Sequence, residues 1–285
     1  MSTPSSQWKI GPDIIDCSVP VIVGIVNVTP DSFSDGGIFL DPSAACDQAF
    51  RLVSEGADII DIGGESTRPG SDPVSPEEEL NRIVPVLETL RKYNFDKPIS
   101  IDTRRLTVAE RAVELGATIV NDVTALRYDP DLAGFIAQND LGVVLMHMQG
   151  SPKSMQAEPH YDDVIREIGE FFRERIDYAT SEGISRERIA LDPGIGFGKL
   201  LEHNLSILKS THDWLDLGRP VLIGPSRKRF IGELLGVEPP ERVYGTIGAC
   251  VASLYAGARI FRVHDVRPVK QALDVAYRIL SIDHD

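Results

Sequence analysis

The chain has 285 residues, 42% of them hydrophobic and 25% charged, and its formal net charge of −14 excludes a surface built for nucleic acid or anionic membranes. It lacks both the roughly 18 consecutive apolar residues of a membrane helix and, in polar residues 1–9, the apolar core of a signal peptide. We therefore expect a cytoplasmic protein without membrane or nucleic-acid partners, in which any anionic ligand meets locally concentrated positive charge.

Residues 8–20 precede the first repeating unit and carry Gly11-Pro12-Asp13 between two apolar pieces. Glycine, proline and aspartate favour a turn, so this segment predicts a β-hairpin. We treat residues 1–20 as an N-terminal extension that contains this hairpin.

Eight short, apolar, β-branched runs follow, separated by segments whose apolar residues recur near the helical period of 3.6. The predicted strands are Val21–Val28, Asp58–Gly63, Pro98–Asp102, Thr118–Asp122, Leu141–His147, Arg188–Asp192, Pro220–Gly224 and Arg259–His264. The predicted helices are Ser43–Gly56, Pro76–Tyr93, Val108–Gly116, Asp131–Asn139, Asp162–Glu182, Leu201–Leu215, Val243–Gly257 and Val269–Leu280. This alternation predicts an α/β protein, a single (β/α)8 TIM-barrel domain over residues 1–285 with the hairpin across the barrel bottom. A doubly wound open sheet is the alternative.

Polar residues concentrate at the carboxyl ends of the predicted strands, where a TIM barrel carries its chemistry. Asp102, Asn121 and Asp192 stand inside otherwise apolar strand ends, although a buried carboxylate needs a partner. Turn or helix capping explains any one of them, but the set predicts a site. Two carboxylates and an amide suit a flat heterocycle with amidine-like N–H donors.

Cationic and glycine-rich segments surround these acids. Arg68, Lys228, Arg262 and His264 supply local positive charge, and arginine suits bidentate contact with phosphate. Arg227 is expected to face solvent or the start of a helix. The glycines of the loop at 194–199 serve either a tight turn or close ligand approach; the loop is not a P-loop, because Pro193 and Leu200 break that pattern. The loop at 31–37 suits a surface loop or a mobile flap.

Taken in order, these motifs resemble the dihydropteroate synthases of the pterin-binding family over most of the chain. The matching segments are Gly24–Gly37, Gly63–Gly70, Ser100–Thr103, Asn121–Val123, His147–Gly150, Asp192–Lys199, Ser226–Lys228 and Arg262–Asp265. The departures are Pro225, before the Ser-Arg-Lys motif, and Leu200, where a polar residue is commoner.

The resemblance implies a role for each matching residue. The pterin ring is expected to contact Asp102, Asn121, Asp192 and Lys228. The pyrophosphate is expected to contact Asn27, Thr67, Arg68, Arg262 and His264, with Mg²⁺ on Asn27. The p-aminobenzoate pocket is expected to include Phe33, Arg68, Pro69, Phe197, Ser226 and Lys228, and Asp31 and Asp35 would close with the flap. The catalytic set is Asp102, Asp192, Lys228, Arg262 and His264.

The resemblance also implies a transferase of folate biosynthesis and a sulfonamide target. It would condense 6-hydroxymethyl-7,8-dihydropterin diphosphate with p-aminobenzoate, giving 7,8-dihydropteroate and pyrophosphate by a Mg²⁺-assisted, SN1-like displacement. The alternatives are a methyltetrahydrofolate-dependent corrinoid methyltransferase, which has no need of the cationic cluster, and a catalytically silent pterin-binding paralogue. The family implies a homodimer, and the small residues Ala249, Ala252 and Ala256 pack against either a partner or the barrel itself.

Overall fold

The computed structural model describes residues 6–29, 42–66, 70–150, 155 and 159–282. The strands are β1 (Gln7–Ile10), β2 (Asp13–Asp16), β3 (Val21–Asn27), β4 (Ile59–Gly63), β5 (Ile99–Asp102), β6 (Ala117–Asp122), β7 (Gly142–Met146), β8 (Ile189–Asp192), β9 (Leu222–Ile223) and β10 (Ile260–Val263). The α-helices are α1 (Pro42–Ser54), α2 (Pro76–Lys92), α3 (Leu106–Glu114), α4 (Leu132–Gln138), α5 (Val164–Ser181), α6 (Leu201–Lys209), α7 (Arg229–Leu235), α8 (Val243–Tyr255) and α9 (Val266–Leu280). Short 3₁₀ helices span Arg186–Arg188, Thr211–Leu217 and Pro239–Glu241.

The eight strands from β3 to β10 form one parallel sheet in the order β8-β7-β6-β5-β4-β3-β10-β9. The two end strands also meet, because Leu191 bridges Val221 in parallel and its N–H donates to the carbonyl of Pro220 at 3.0 Å. The sheet therefore closes on itself, which confirms the TIM barrel and excludes the open doubly wound sheet.

The N-terminal hairpin of β1 and β2 closes the amino end of the barrel, as predicted. Trp8 and Ile10 are fully buried, and Trp8 shares a core with inward-facing residues such as Val23, Ile119 and Val144. The indole N–H of Trp8 donates to the carbonyl of Arg188 at 2.8 Å, so the polar edge of the ring is satisfied. Among the described residues, side chains therefore fill this end of the barrel, and the polar strand ends lie at the opposite end.

Helix α2 begins where its sequence predicts. Ser75 is the N-cap and its hydroxyl accepts the Glu78 N–H at 3.1 Å, while Pro76 occupies the first turn, where its missing N–H costs nothing. Three glutamates in the first turn interact favourably with the positive end of the helix dipole.

The region between β8 and α8 differs from the prediction in two places. The predicted helix at 201–215 ends at Lys209, and the chain continues as a 3₁₀ helix in which the Thr211 hydroxyl donates to the carbonyl of Ile207 at 3.0 Å. Helix α7, of seven residues, was not predicted.

Candidate functional site

The predicted acids and amide converge at the carboxyl end of the barrel. Asp102 in β5 lies directly beside Asn121 in β6, and Asp192 in β8 lies beside Met146 in β7. Their relative exposures are 9%, 5% and 6%, so all three polar side chains are buried among apolar strands. The convergence follows from barrel closure, which brings strand ends from three parts of the chain to one rim.

Arg262 in β10 is held between two carboxylates. Its Nε donates to Asp61 Oδ2 at 2.6 Å, and its Nη2 donates to Asp102 Oδ2 at 2.9 Å. The amide of Asn121 donates to the same Asp61 oxygen at 3.3 Å. A guanidinium is suited to two such contacts because its donors are fixed in a plane.

Asp61 is a site residue that sequence reasoning missed. It is 1% exposed in the middle of β4, between Ile60 and Ile62. The available signal was a carboxylate inside an apolar strand, which requires a compensating partner. Its partner Arg262 is 201 residues away in sequence, so only the closed barrel reveals the pair.

Burial alters the charge of the acids. It raises the pKa of Asp192 to about 6, opposed by the Gly194 N–H and then by Lys228 and Arg262. Burial also raises the pKa of Asp102; Arg262 opposes this rise and Asp61 adds to it. Cations brought together by the barrel therefore offset part of the desolvation penalty of the two carboxylates, whose pKa values nevertheless stay above the ordinary range.

The glycine-rich loop after β8 packs tightly against the end of β7. A Cβ on Gly194 would lie 2.0 Å from the carbonyl oxygen of His147, and one on Gly198 would lie 2.6 Å from that of Gln149. Both glycines also have positive φ, +68° and +63°. At these two positions the tight-turn interpretation therefore prevails over close ligand approach.

Lys199 anchors this loop from within. It is 3% exposed, and its Nζ donates to the carbonyl of Phe197 at 3.0 Å and lies 3.0 Å from Nδ1 of His147. Burial lowers the pKa of Lys199 to about 7, with Asp192 opposing. The loop in turn places the Phe197 ring 4.1 Å from Nζ of Lys228, a cation–π contact that locates this second cation at the site.

Ser226 and His264 form a hydrogen-bonded pair beside Arg262. Ser226 Oγ lies 3.0 Å from His264 Nδ1 and accepts the His264 backbone N–H at 3.2 Å. Burial, Arg262 and Arg227 lower the pKa of His264 to about 3, so its imidazole is neutral. Burial and the neighbouring arginines therefore favour a neutral, hydrogen-bonding His264, and the positive charge expected at this position stays a prediction.

Arg227 faces the start of a helix, as predicted. Its guanidinium donates to both oxygens of Asp265, at 2.9 and 2.6 Å, and Asp265 immediately precedes α9. Nearby, the Lys228 N–H donates to the carbonyl of Pro225 at 3.2 Å, so the unusual proline forms part of the turn before α7. Leu200, the other departure, is 43% exposed and precedes α6 without contacting the acids described above.

Of the remaining predicted site residues, Asn27 lies within the described part of the chain. Asn27 ends β3, is half-buried and lies beside Gly63 of β4. Six other predicted residues lie outside the described residues: Asp31, Phe33, Asp35, Thr67, Arg68 and Pro69.

Comparisons with known proteins agree on one family. Residues 23–264 match the model of the pterin binding enzymes. The dihydropteroate synthase of Escherichia coli K12 is 45% identical over 267 residues, which cover 94% of each chain.

Two solved structures extend the likeness to the fold. The dihydropteroate synthase of Xanthomonas albilineans with 4-aminobenzoic acid is 44% identical, with a TM-score of 0.91 and coverage of 98% of this chain and 100% of that one. The same enzyme in complex with 7,8-dihydropteroate gives 42% identity, a TM-score of 0.87 and coverage of 97% and 100%.

Proposed function

Because this chain belongs to the dihydropteroate synthases of the pterin-binding enzyme family, we propose that its barrel mouth binds both substrates and supports their condensation. The reaction joins 6-hydroxymethyl-7,8-dihydropterin diphosphate to p-aminobenzoate and releases pyrophosphate, and the enzyme is a transferase. The observation that carries the site assignment is the buried group of Asp102, Asn121 and Asp192 gathered beside Arg262.

The buried acids are suited to the pterin ring. A carboxylate accepts two parallel N–H bonds from an amidine-like edge, and the negative charge strengthens those bonds. We assign ring binding to Asp102, Asn121, Asp192 and Lys228. Electron delocalisation in the ring stabilises positive charge at the exocyclic CH₂, and Asp102 and Asp192 favour that cation electrostatically.

The cationic side of the mouth is suited to the departing diphosphate. When the C–O bond breaks, its electron pair leaves with the diphosphate, and Arg262 compensates the growing negative charge. We assign contacts with this group to Asn27, Thr67, Arg68, Arg262 and His264. Phe33, Arg68, Pro69, Phe197, Ser226 and Lys228 are assigned to the p-aminobenzoate side, with Asp31 and Asp35 in a closing flap. The arylamine attacks as its neutral form, so no strong base is needed.

The reaction is tested by its products. We expect pyrophosphate to form from the pterin diphosphate in the presence of p-aminobenzoate, together with one equivalent of 7,8-dihydropteroate. Pterin binding without turnover would instead support a silent paralogue. Methyl transfer from methyltetrahydrofolate to a corrinoid protein would support the rival enzyme.

Mg²⁺ fits the residues at the end of β3. The side-chain carbonyl of Asn27 is the hard oxygen ligand that Mg²⁺ prefers. Within the described ranges no group of three or more His, Cys, Asp or Glu residues could hold a metal, so the diphosphate itself would supply most ligands. When bound, the ion would neutralise charge on the leaving group.

Removing Mg²⁺ is expected to abolish turnover. Excess chelator should reduce pyrophosphate release to background, and added Mg²⁺ should restore it, because the leaving group then regains its neutralising ion. Thermal unfolding of the free protein, measured in the same buffers, serves as the control and should not shift. Full activity in chelator would refute the assigned role of the metal.

The acid limb of the pH profile is expected to follow the two buried acids, Asp102 and Asp192, because burial raises the pKa of both. The pKa of Asp192, about 6, means that its carboxylate predominates above pH 6 and the weaker neutral acceptor below it. We therefore expect kcat/KM for the pterin diphosphate, which reports on the free enzyme, to fall as the pH is lowered through 6. The Asp192→Asn variant should lose this part of the fall, while the diphosphate's own titration affects both proteins equally. Profiles of identical shape would contradict the assignment.

A homodimer is the assembly that we propose. Helix α8 presents small residues along one face, and exposed apolar side chains from α6, α7 and α8 flank it: Leu205 (40% exposed), Leu234 (52%), Leu235 (54%) and Tyr255 (53%). Gly248 lies inside α8 with nothing described within 4 Å of an added Cβ, although glycine in a helix costs about 0.5–1 kcal/mol relative to alanine. Close packing of a second copy against α8 would explain a glycine at this position.

Sedimentation of an Ala252→Glu variant tests the dimer. A two-fold axis would place two like charges in one apolar interface, so we expect the molecular mass to halve. Ile14→Glu, on the exposed hairpin at the barrel bottom, is the matched control and should keep the wild-type mass. An unchanged mass for Ala252→Glu would place the interface elsewhere or exclude it.

A cytoplasmic location remains our proposal, and the three cysteines support it: Cys17, Cys46 and Cys250 are all buried thiols outside any disulfide, as is usual in a reducing compartment. None of the described helices has the length and apolar character needed to cross a membrane. We also propose that the whole chain is one domain, because the hairpin and the barrel share a core.

A further inference from the structure

Ser226 and His264 come from neighbouring strands of the barrel. Ser226 follows β9 and His264 follows β10, and these strands pair in parallel. Ser226 is 5% exposed, so its hydroxyl has little access to water. Its oxygen lies 3.0 Å from Nδ1 of His264 and accepts the backbone N–H of the same residue at 3.2 Å.

The number of protons and lone pairs on the Ser226 hydroxyl assigns the direction of its hydrogen bond with His264 Nδ1. A serine hydroxyl has one proton to donate and two lone pairs that accept. The backbone N–H of His264 already occupies one lone pair of Ser226. Among the residues that the structure describes, His264 Nδ1 is the one acceptor within hydrogen-bond distance of the Ser226 hydroxyl. A buried hydroxyl without an acceptor is costly, so Nδ1 accepts and the imidazole proton resides on Nε2.

We propose that Ser226 is a positioning residue that fixes His264 as the neutral Nε2–H tautomer, so that His264 offers the departing diphosphate a hydrogen-bond donor. This inference rests on the proposed function for the identity of the anion. The opposite tautomer would turn the lone pair of Nε2 towards negative charge. As the C–O bond breaks, the donated hydrogen bond strengthens, and no proton needs to be transferred.

The charges around His264 agree with a neutral ring. Arg262, Arg227 and Lys228 disfavour a further positive charge there, and Asp265 opposes them only in part. The positive charge at the leaving group then comes from Arg262, with His264 as a directional donor beside it. The contact of Ser226 with p-aminobenzoate that we assigned above then does not use the hydroxyl proton, which is committed to His264.

The tautomer is measurable on the free, full-length protein without turnover. Long-range ¹H–¹⁵N correlation spectra of ¹⁵N-histidine-labelled protein distinguish Nδ1–H from Nε2–H, and the His264→Gln variant identifies the His264 signals. We expect the Nε2–H pattern in the wild type and in Ser226→Thr, which keeps the hydroxyl, and a mixture of tautomers in Ser226→Ala. Ser253→Ala removes another buried hydroxyl, one bonded within α8, and should leave His264 unchanged.

Kinetics provide the second measurement. We expect Ser226→Ala to lower kcat about tenfold, roughly the value of one well-placed hydrogen bond, with KM for p-aminobenzoate unchanged. Ser226→Thr should recover most of the rate.

Three outcomes are distinguishable. An Nδ1–H pattern in the wild type overturns the proposal, even if the variants fail to fold. An unchanged tautomer in Ser226→Ala with a raised KM for p-aminobenzoate also overturns it and returns Ser226 to that pocket. The expected tautomers in a protein that releases no pyrophosphate would support the Ser226–His264 pair and refute the proposed function instead.

Discussion

Replacing Asp192 with asparagine, or Lys228 with alanine, is expected to lower kcat/KM by about 100-fold or more, the usual cost of removing a preorganised charge contact. The asparagine side chain would keep the shape of the aspartate but replace a charged acceptor with an amide whose NH₂ opposes the N–H donors of the pterin. Alanine at 228 removes the cation that lies 4.1 Å from the Phe197 ring. Both changes act on groups to which we assign contact with the pterin ring rather than on the barrel frame.

Steady-state pyrophosphate release and thermal unfolding, measured on each variant, separate catalytic from structural effects. Asp58→Asn is the matched control for the acid, because Asp58 is a half-buried carboxylate at the opposite end of the barrel, where it accepts the Ile22 N–H at 2.8 Å. Lys270→Ala, on α9, is the control for the cation. Near-wild-type kinetics for both Asp192→Asn and Lys228→Ala would defeat the site assignment.

Replacing Arg262 with methionine is expected to damage both activity and stability. The substitution removes the positive charge that we assign to the leaving group, which we expect to lower kcat/KM about 100- to 1,000-fold. It also leaves Asp61 and Asp102, 1% and 9% exposed, without their shared partner. Removing one member of a buried ion pair costs about 3–5 kcal/mol, so the free energy of unfolding should fall by about that amount.

The loss of stability in Arg262→Met is expected to be larger at high pH than at low pH. Without Arg262, the pKa of Asp102 rises further, because burial is then opposed by one charge fewer. Between the ordinary pKa of aspartate and that raised value, the folded state binds more protons than the unfolded state, so stability falls as the pH rises. Urea unfolding should therefore show a smaller destabilisation at pH 5 than at pH 8.

Arg227→Met is the matched control for Arg262→Met. Arg227 lies in the neighbouring turn and is also paired with an aspartate, but its side chain is 39% exposed and an exposed pair contributes about 1 kcal/mol or less. Adding Asp61→Asn to Arg262→Met should recover part of the lost stability, since one fewer carboxylate is left unpaired; a double-mutant cycle measures the coupling. Wild-type stability in Arg262→Met would show that the two aspartates do not depend on it.

The alternation of strands and helices, the closing hairpin and the location of the site were readable from the sequence. Apolar β-branched runs, period-3.6 patterns, caps such as Ser75 and turn residues such as Gly11 extend over a few residues, so a linear pattern contains them. The clustering of polar residues at strand ends was also local information, and the barrel rule converted it into a site containing Asp102, Asn121 and Asp192. The resemblance of the motifs to a known family supplied the identity of the expected substrates.

Contacts between distant parts of the chain were decided only by the tertiary structure. Asp61 faces Arg262 across 201 residues, and Ser226 faces His264 across 38. Whether Gly194 and Gly198 approach a ligand or the backbone of β7 likewise depended on how the loop packs. The physical reason is that hydrogen bonding and desolvation depend on distance in space, which closure of the barrel sets and a linear pattern does not record. The sequence determined which polar residues stand at the strand ends; barrel closure decided which partners surround them.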